Sequence, residues 1–194
     1  MKILICSEFY KPHVGGVEIH SEILARYLQK KNSVTVATTN LGNKKFVEEN
    51  IDGVKLVKFK ISGSLVKGYS GPVKEYKNFL LKNKFDIIFF NAAQQWTLDI
   101  ALNILDRIQG KKIFFPCGFS RFSNWLFIPY FEFLKEKINK FDHVVCCSKN
   151  WHDYKFCKKY FSKKIEIISN GSYDVKFKRY NNKSKIRNFV NISN

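Results

Sequence analysis

Lys2-Ile3-Leu4-Ile5-Cys6-Ser7-Glu8-Phe9-Tyr10-Lys11-Pro12-His13-Val14-Gly15-Gly16-Val17-Glu18 is the stretch on which the fold turns. Its first five residues form an apolar run of strand length. After the glycine pair, Ile19, Ile23, Leu24, Tyr27 and Leu28 fall on one helical stripe, with Glu18, Glu22, Arg26 and Lys30 opposite. A strand that passes to a helix through paired glycines is where α/β proteins seat phosphate-bearing ligands. The first N–H groups of a helix lack intrahelical partners, and the dipole favours negative charge there. The connection also exceeds the roughly 2–6 residues usual for such a loop, and extra length at a strand's carboxyl end usually belongs to a site. As a bare motif, Gly15-Gly16 fits a tight turn without a ligand equally well.

Outward from this unit, strands are predicted over 2–6, 34–38, 54–59, 86–90, 112–116, 143–147 and 165–168. Helices are predicted over 17–31, 73–82, 97–108, 126–140 and 150–161. Several strands, such as Ile87-Ile88-Phe89-Phe90, are apolar on successive residues, which means burial on both faces. The alternation of strand and helix predicts one α/β domain over 1–171, a Rossmann-like doubly wound parallel sheet. After Asn170-Gly171 comes a basic, weakly periodic linker, then the strand-like hexamer 189–194. That ending predicts a chain cut where a second domain would begin.

The 194 residues carry a net charge of +18, steepest at the carboxyl end, where 151–194 holds 11 basic and 3 acidic residues. Such a field attracts nucleic acid or an acidic membrane leaflet; solvated faces of a Lys- and Asn-rich composition account for it equally. No apolar run is long enough to span a bilayer, and the opening apolar run is too short for a secretory signal, so a cytoplasmic protein is expected. The five cysteines show no C-x-x-C spacing, and the four histidines show no ligand spacing. Free thiols and no metal site are therefore expected. G-x-G-x-x-G is absent, Thr38-Thr39-Asn40 stands where a dinucleotide site would place an acid, and no Gly-Lys-Ser/Thr follows the glycines. These absences argue against NAD, FAD and P-loop chemistry.

The opening segment, Leu24-Ala25-Arg26-Tyr27-Leu28 and Val34-Thr35-Val36-Ala37-Thr38 together resemble the amino-terminal domain of family 4 glycosyltransferases of GT-B fold. The far end agrees: Val144-Val145-Cys146-Cys147-Ser148, a helix, then Ile165-Glu166-Ile167-Ile168-Ser169-Asn170-Gly171 and Phe177 resemble that family's strand, serine, helix and "PNG" turn. The resemblance implies transfer of a hexose-type sugar from a nucleotide-sugar donor to a glycan or lipid-linked acceptor, as in cell-surface polysaccharide biosynthesis, without a cofactor or metal. It implies that Gly15 and Gly16 approach the donor diphosphate, and that a carboxyl-terminal donor domain, in cis or in trans, is required for activity. The chain departs from the family at Asn32-Ser33, where Gly-His is common, and at Asp174, displaced by one from the usual turn. Cys117 stands where family members often carry a histidine, and a thiol does not replace an imidazole without a large pKa shift, so no catalytic residue is assigned.

Near strand ends, Asn91, Gln95, Arg121 and Ser148 are candidates for acceptor contact, each with an ordinary surface or capping role as the competing account. Trp96 fits a sugar-stacking platform or half-buried core. The aromatic stretch 119–133, beside Lys135, Lys137 and Lys140, fits core packing of a long helix, with peripheral contact to the inner face of the membrane as the lesser alternative. The competing function is a non-catalytic basic α/β module on nucleic acid or anionic membrane. Nucleic acid is not the expected partner.

Overall fold

The computed structural model describes residues 1–171. In chain order its elements are β1 (Lys2–Cys6), α1 (Gly16–Leu28), β2 (Ser33–Thr39), β3 (Phe46–Ile51), β4 (Val54–Phe59), β5 (Ser62–Ser64), β6 (Gly68–Ser70), α2 (Val73–Lys82), β7 (Ile87–Asn91), α3 (Trp96–Ala101), β8 (Lys111–Phe115), α4 (Ile128–Lys137), β9 (His143–Cys146), α5 (His152–Tyr160) and β10 (Ile165–Ile167). An eight-stranded sheet runs β10-β9-β8-β7-β1-β2-β4-β3, parallel except where β3 joins the edge antiparallel to β4. β5 and β6 form a separate hairpin. The linker and strand-like ending expected at 172–194, with Phe177 and Asp174, lie outside the described residues.

The successive apolar residues of β1 serve two cores. Ile3 and Ile5 join Val34, Val36 and Leu56 under Leu24, Ala25 and Leu28 of α1, whereas Leu4 and Cys6 join Ile88, Phe90, Phe114 and Val144 on the other face. That second face carries side chains from α2, α3, α4 and α5, among them Tyr76, Leu80, Trp96, Leu134 and Phe156. Among the described residues the layers are therefore uneven, four helices against one. On the α1 face, Phe89 lies beside Ile113 in register, and both are only half-buried, as is Val145.

Three strands and two helix breaks were not predicted. β3 is polar and half-exposed, and the Asp52-Gly53 turn that joins it to β4 has φ of 53° and 82°, the left-handed pair a tight hairpin needs. The expected helix over 97–108 stops at Ala101, where Asn103 and Ile104 are poor helix formers, and Leu105–Arg107 continues as a 3-10 turn. The helix expected over 126–140 is α4 flanked by 3-10 turns Trp125–Phe127 and Ile138–Lys140, with Pro129 in its first turn. All five cysteines are free thiols, and burial pushes that of Cys6 up to about 12.

Candidate active site

Strand order reverses between β1 and β7, and at such a point the loops leaving neighbouring strands part and open a crevice. Polar contacts hold the two loops there. The Glu8 N–H donates to Gln95 Oε1 (3.0 Å), while the Thr39 N–H and Thr38 Oγ1 donate to the Glu8 carbonyl (2.9 and 3.1 Å). Asn91 Nδ2 donates to Ser21 Oγ (2.8 Å) and lies 3.2 Å from His20 Nδ1. Burial lowers the His20 pKa and so favours the neutral ring, whose face stacks on Phe115 at 4.4 Å. Asn91 is fully buried and ties β7 to α1, and Gln95 clamps the β1 loop, so both hold the crevice together.

Gly15 is the N-cap of α1 and Gly16 its first residue, and no side chain caps the helix, which leaves first-turn N–H groups for a ligand. Gly15 is extended (φ −167°), a conformation open to any residue; an added Cβ would meet the carboxylate of buried Glu18, which would have to move aside. Glu18 in turn lies 3.6 Å from His13 Nδ1. Gly16 differs. It is exposed, and an added Cβ would meet nothing within 4 Å. The fold does not require glycine there, whereas close approach of a bulky ligand would.

The β7 and β8 loops concentrate backbone strain. Ala92, Gln94, Cys117 and Arg121 have φ of 65°, 60°, 58° and 56°, each in the left-handed region that costs a non-glycine residue about 1–3 kcal/mol. Surrounding bonds enforce them: Ala92 N–H to Phe115 O (2.8 Å), Gln94 N–H to Tyr130 Oη (2.8 Å), and Ser120 N–H and Oγ to Gln94 Oε1 (3.0 and 2.9 Å). Gly118 N–H donates to Asp153 Oδ2 (3.0 Å), tying the β8 loop to α5.

Cys117 sits where these loops converge, close enough to Cys147, Asp153 and Glu18 to feel their charge. Burial first, and those neighbours second, push its thiol well above the usual range, so it cannot take a proton from a hydroxyl. Ser148 Oγ accepts from Asn150 N–H (3.2 Å) and does not cap α5, whose N-cap is Trp151. The Ser169-Asn170 turn folds back on β9, with Ser169 Oγ donating to the Cys147 carbonyl and Cys147 Sγ to Asn170 Oδ1, both at 3.4 Å.

Arg121, with its guanidinium 5.4 Å from the Phe127 ring centre, lines a cavity of about 320 Å³ together with Glu8, Ser64, Lys67, Gln94 and Ser120. Burial, then the charges of Asp99 and Glu18, push the Glu8 carboxyl up to about 7. Burial does the same to Asp99, up to about 7, against the opposing bonds of the Leu65 N–H (2.9 Å) and the Tyr130 hydroxyl. Gln94 Nε2 and Asp99 Oδ1 are buried without a protein partner. A larger hollow of about 630 Å³, between Lys45, Lys60 and Lys74 at the start of α2, is lined by none of the buried unpartnered atoms. Sequence reasoning missed Glu8, Asp99 and the β5–β6 hairpin that supplies Ser64 and Lys67. The available signals were an acid directly after β1, an acid inside an apolar helix, and glycines at 63, 68 and 71. Among the described residues no His, Cys, Asp and Glu side chains gather to hold a metal ion, and no helix is long and apolar enough to cross a membrane.

The sequence profile described as Glycosyltransferase Family 4 matches residues 14–172. No curated protein sequence matches the chain. Among solved structures, sucrose-phosphate synthase from Thermosynechococcus elongatus is similar with a TM-score of 0.68 at 14% identity, over 99% of this chain and 53% of that one. Trehalose-6-phosphate synthase OtsA gives 0.57 at 14% identity, over 82% of this chain and 44% of that one. An E. coli trehalose-6-phosphate structure bound with UDP-2-fluoro glucose gives 0.51 at 14%, over 82% and 43%. The likeness at such identities is one of fold, and the chain spans about half the length of these structures.

Proposed function

This chain belongs to glycosyltransferase family 4 and has the Rossmann-like fold of the amino-terminal half of a GT-B enzyme, and from that premise we propose that it is the acceptor side of a nucleotide-sugar-dependent transferase. The reaction is transfer of a hexose-type sugar to a glycan or lipid-linked acceptor on the cytoplasmic side of the membrane, in cell-surface polysaccharide biosynthesis, with the nucleotide sugar as substrate and no metal. The observation that carries this reading is the convergence at one sheet end of an unobstructed glycine at a helix start and two strained loops around a cavity holding Glu8 and Arg121. The UDP-2-fluoro glucose bound in one structural neighbour supports a nucleoside-diphosphate donor.

In this reaction an acceptor hydroxyl forms the new bond to the anomeric carbon, the nucleoside diphosphate leaves, and the hydroxyl proton must go to a base. Gly16 lets a diphosphate oxygen reach the uncapped N–H groups of α1. Arg121 and Lys67 hold an anionic or hydroxyl-rich acceptor in the cavity. Glu8, with a carboxyl near 7, is part-ionised at neutral pH and receives the hydroxyl proton. Cys117 stays a neutral thiol and fills volume. Ser148 offers a contact at the rim, while Asn91 and Gln95 position the loops.

The donor base and sugar are held by a carboxyl-terminal half, in cis or in trans, without which the chain is inactive; the half-buried Phe89, Ile113 and Val145 support docking of further polypeptide. The test is release of nucleoside diphosphate from a panel of UDP-, GDP- and ADP-sugars. Release is expected from the two-half enzyme and none from this chain alone. Turnover by this chain alone would overturn the half-enzyme reading, and no release in any combination would overturn the transferase reading. The charge of +18 favours a second reading, a basic module on nucleic acid. Heparin binding that falls steeply with added salt, together with absence of transfer, would support it.

A further inference from the structure

We infer that the chain docks on anionic lipid bilayers through an aromatic apron built from the β8 loop and the starts of α4 and α5. Helix packing absorbs part of the aromatic stretch 119–133: Phe127, Tyr130 and Phe131 are buried. It does not absorb Phe122, Trp125, Leu126 and Ile128, which are 40%, 74%, 49% and 56% exposed, and Trp151 beside them is 45% exposed. Phe122, Ile128 and His152 meet in space, and Trp125, Leu126 and Trp151 adjoin them along the chain. The Phe122 ring stacks on His152 at 5.6 Å and packs on Phe131 at 4.8 Å, and Trp151 lies over Gly118. Phe122, Ile128 and His152 share a groove of about 370 Å³ rimmed by Lys135, Lys155 and Lys159. The one acid lining it, Glu132, is paired with Lys135 at 2.5 Å.

Soluble proteins seldom leave a contiguous apolar patch of this kind without a partner. The chemistry selects the partner. Tryptophans with an apolar body and a polar N–H settle at the headgroup boundary, aliphatic Leu126 and Ile128 reach deeper, and flanking lysines are each attracted to an anionic leaflet. The most exposed residues, Trp125 and Ile128, stand on the short turn before α4 and at its first residue. The inference goes beyond sugar transfer and is read without it. Its consequence is that Trp151 and Gly118 bring the lipid surface beside the Cys117–Arg121 loop, on the acceptor side of the crevice.

The full 194-residue chain is titrated with vesicles of phosphatidylglycerol and phosphatidylcholine, and with phosphatidylcholine alone. A chain of this charge sediments with anionic vesicles by charge alone, so the decisive readout is tryptophan emission. Trp96 is fully buried, and any shift on binding therefore reports Trp125 and Trp151. Expected are a blue shift on anionic vesicles and quenching by lipids brominated in the acyl chains. Binding should be at least about tenfold weaker in Trp125→Ser/Ile128→Ser and in Lys155→Glu/Lys159→Glu. Circular dichroism melts should match the parent chain, since all four side chains are at the surface. Sedimentation without an emission change overturns the inference. So does unchanged binding by both double variants, or a shift that develops without vesicles as copies of the chain associate.

Discussion

Replacing Glu8 by glutamine should stabilise the chain above pH 7 and leave it unchanged near pH 4. Burial, with the charges of Asp99 and Glu18, raises the Glu8 carboxyl from an ordinary 4.5 to about 7 in the folded chain. An acid raised in this way contributes most to stability below its unfolded pKa, and that contribution is lost as pH rises through the folded value. The window is therefore pH 4.5 to 7, and above it the folded state carries the full penalty of an ionised, half-buried carboxylate. The gap corresponds to about 3 kcal/mol, and screening in a cavity open to solvent reduces this to about 1–2 kcal/mol. Glu8→Gln keeps the shape and removes the charge. At pH 8.5 its Tm should exceed that of the parent by about 3–6 °C, and at pH 4 the two should coincide. Asp99 is raised in both chains but loses the Glu8 charge in the variant, so the difference between the melting curves reports Glu8 together with its coupling to Asp99. Equal gains at both pH values, or a loss at pH 8.5, would refute the reasoning. A carboxylate retained at such a cost belongs to a site, and in the complete enzyme the same variant should lower kcat by about 100-fold.

Gly16→Val should leave the melting temperature within about 2 °C, since its side chain meets no protein atom, yet reduce transfer in the complete enzyme by more than about 100-fold; unchanged turnover would remove Gly16 from the donor path. Cys117→Ala should lower activity by no more than about threefold, and the native thiol should react slowly with iodoacetamide at pH 7.5. Rapid labelling would contradict its raised pKa. Asn91→Ala leaves His20 Nδ1 without its donor, while Ser21 keeps its bonds to Val17 and Ser7, and should cost about 1–3 kcal/mol, a Tm fall of at least about 2 °C. A variant that melts like the parent but loses acceptor binding would return Asn91 to the acceptor.

The parallel core was legible because its strands are apolar on successive residues, a pattern that suits strands covered on both faces, and because Gly15-Gly16 separates two periodicities so sharply. The β3 edge was missed although Asp52-Gly53 announces it, since its strand is polar on one side and carries Glu48 and Glu49. In the site, the glycine pair and Arg121 were visible as residue types at strand ends. The roles of Asn91 and Gln95 were not, because a polar side chain after a strand looks the same in sequence whether it faces a ligand or bonds to Ser21 or the Glu8 amide. Glu8 was invisible for a related reason: its character comes from burial beside Asp99 and Glu18, which lie 91 and 10 positions away.

The unequal coverage of the sheet has a consequence for how this chain breathes. Amides of β1 and β2, roofed on both sides, should be the last to exchange with deuterium, and those of β8 and β9 should exchange earlier, because Ile113 and Val145 lack a full covering on the α1 side. A polypeptide that settles on that strip would slow exchange there before its own sequence is known, so the sheet itself can serve as the detector for whatever covers it.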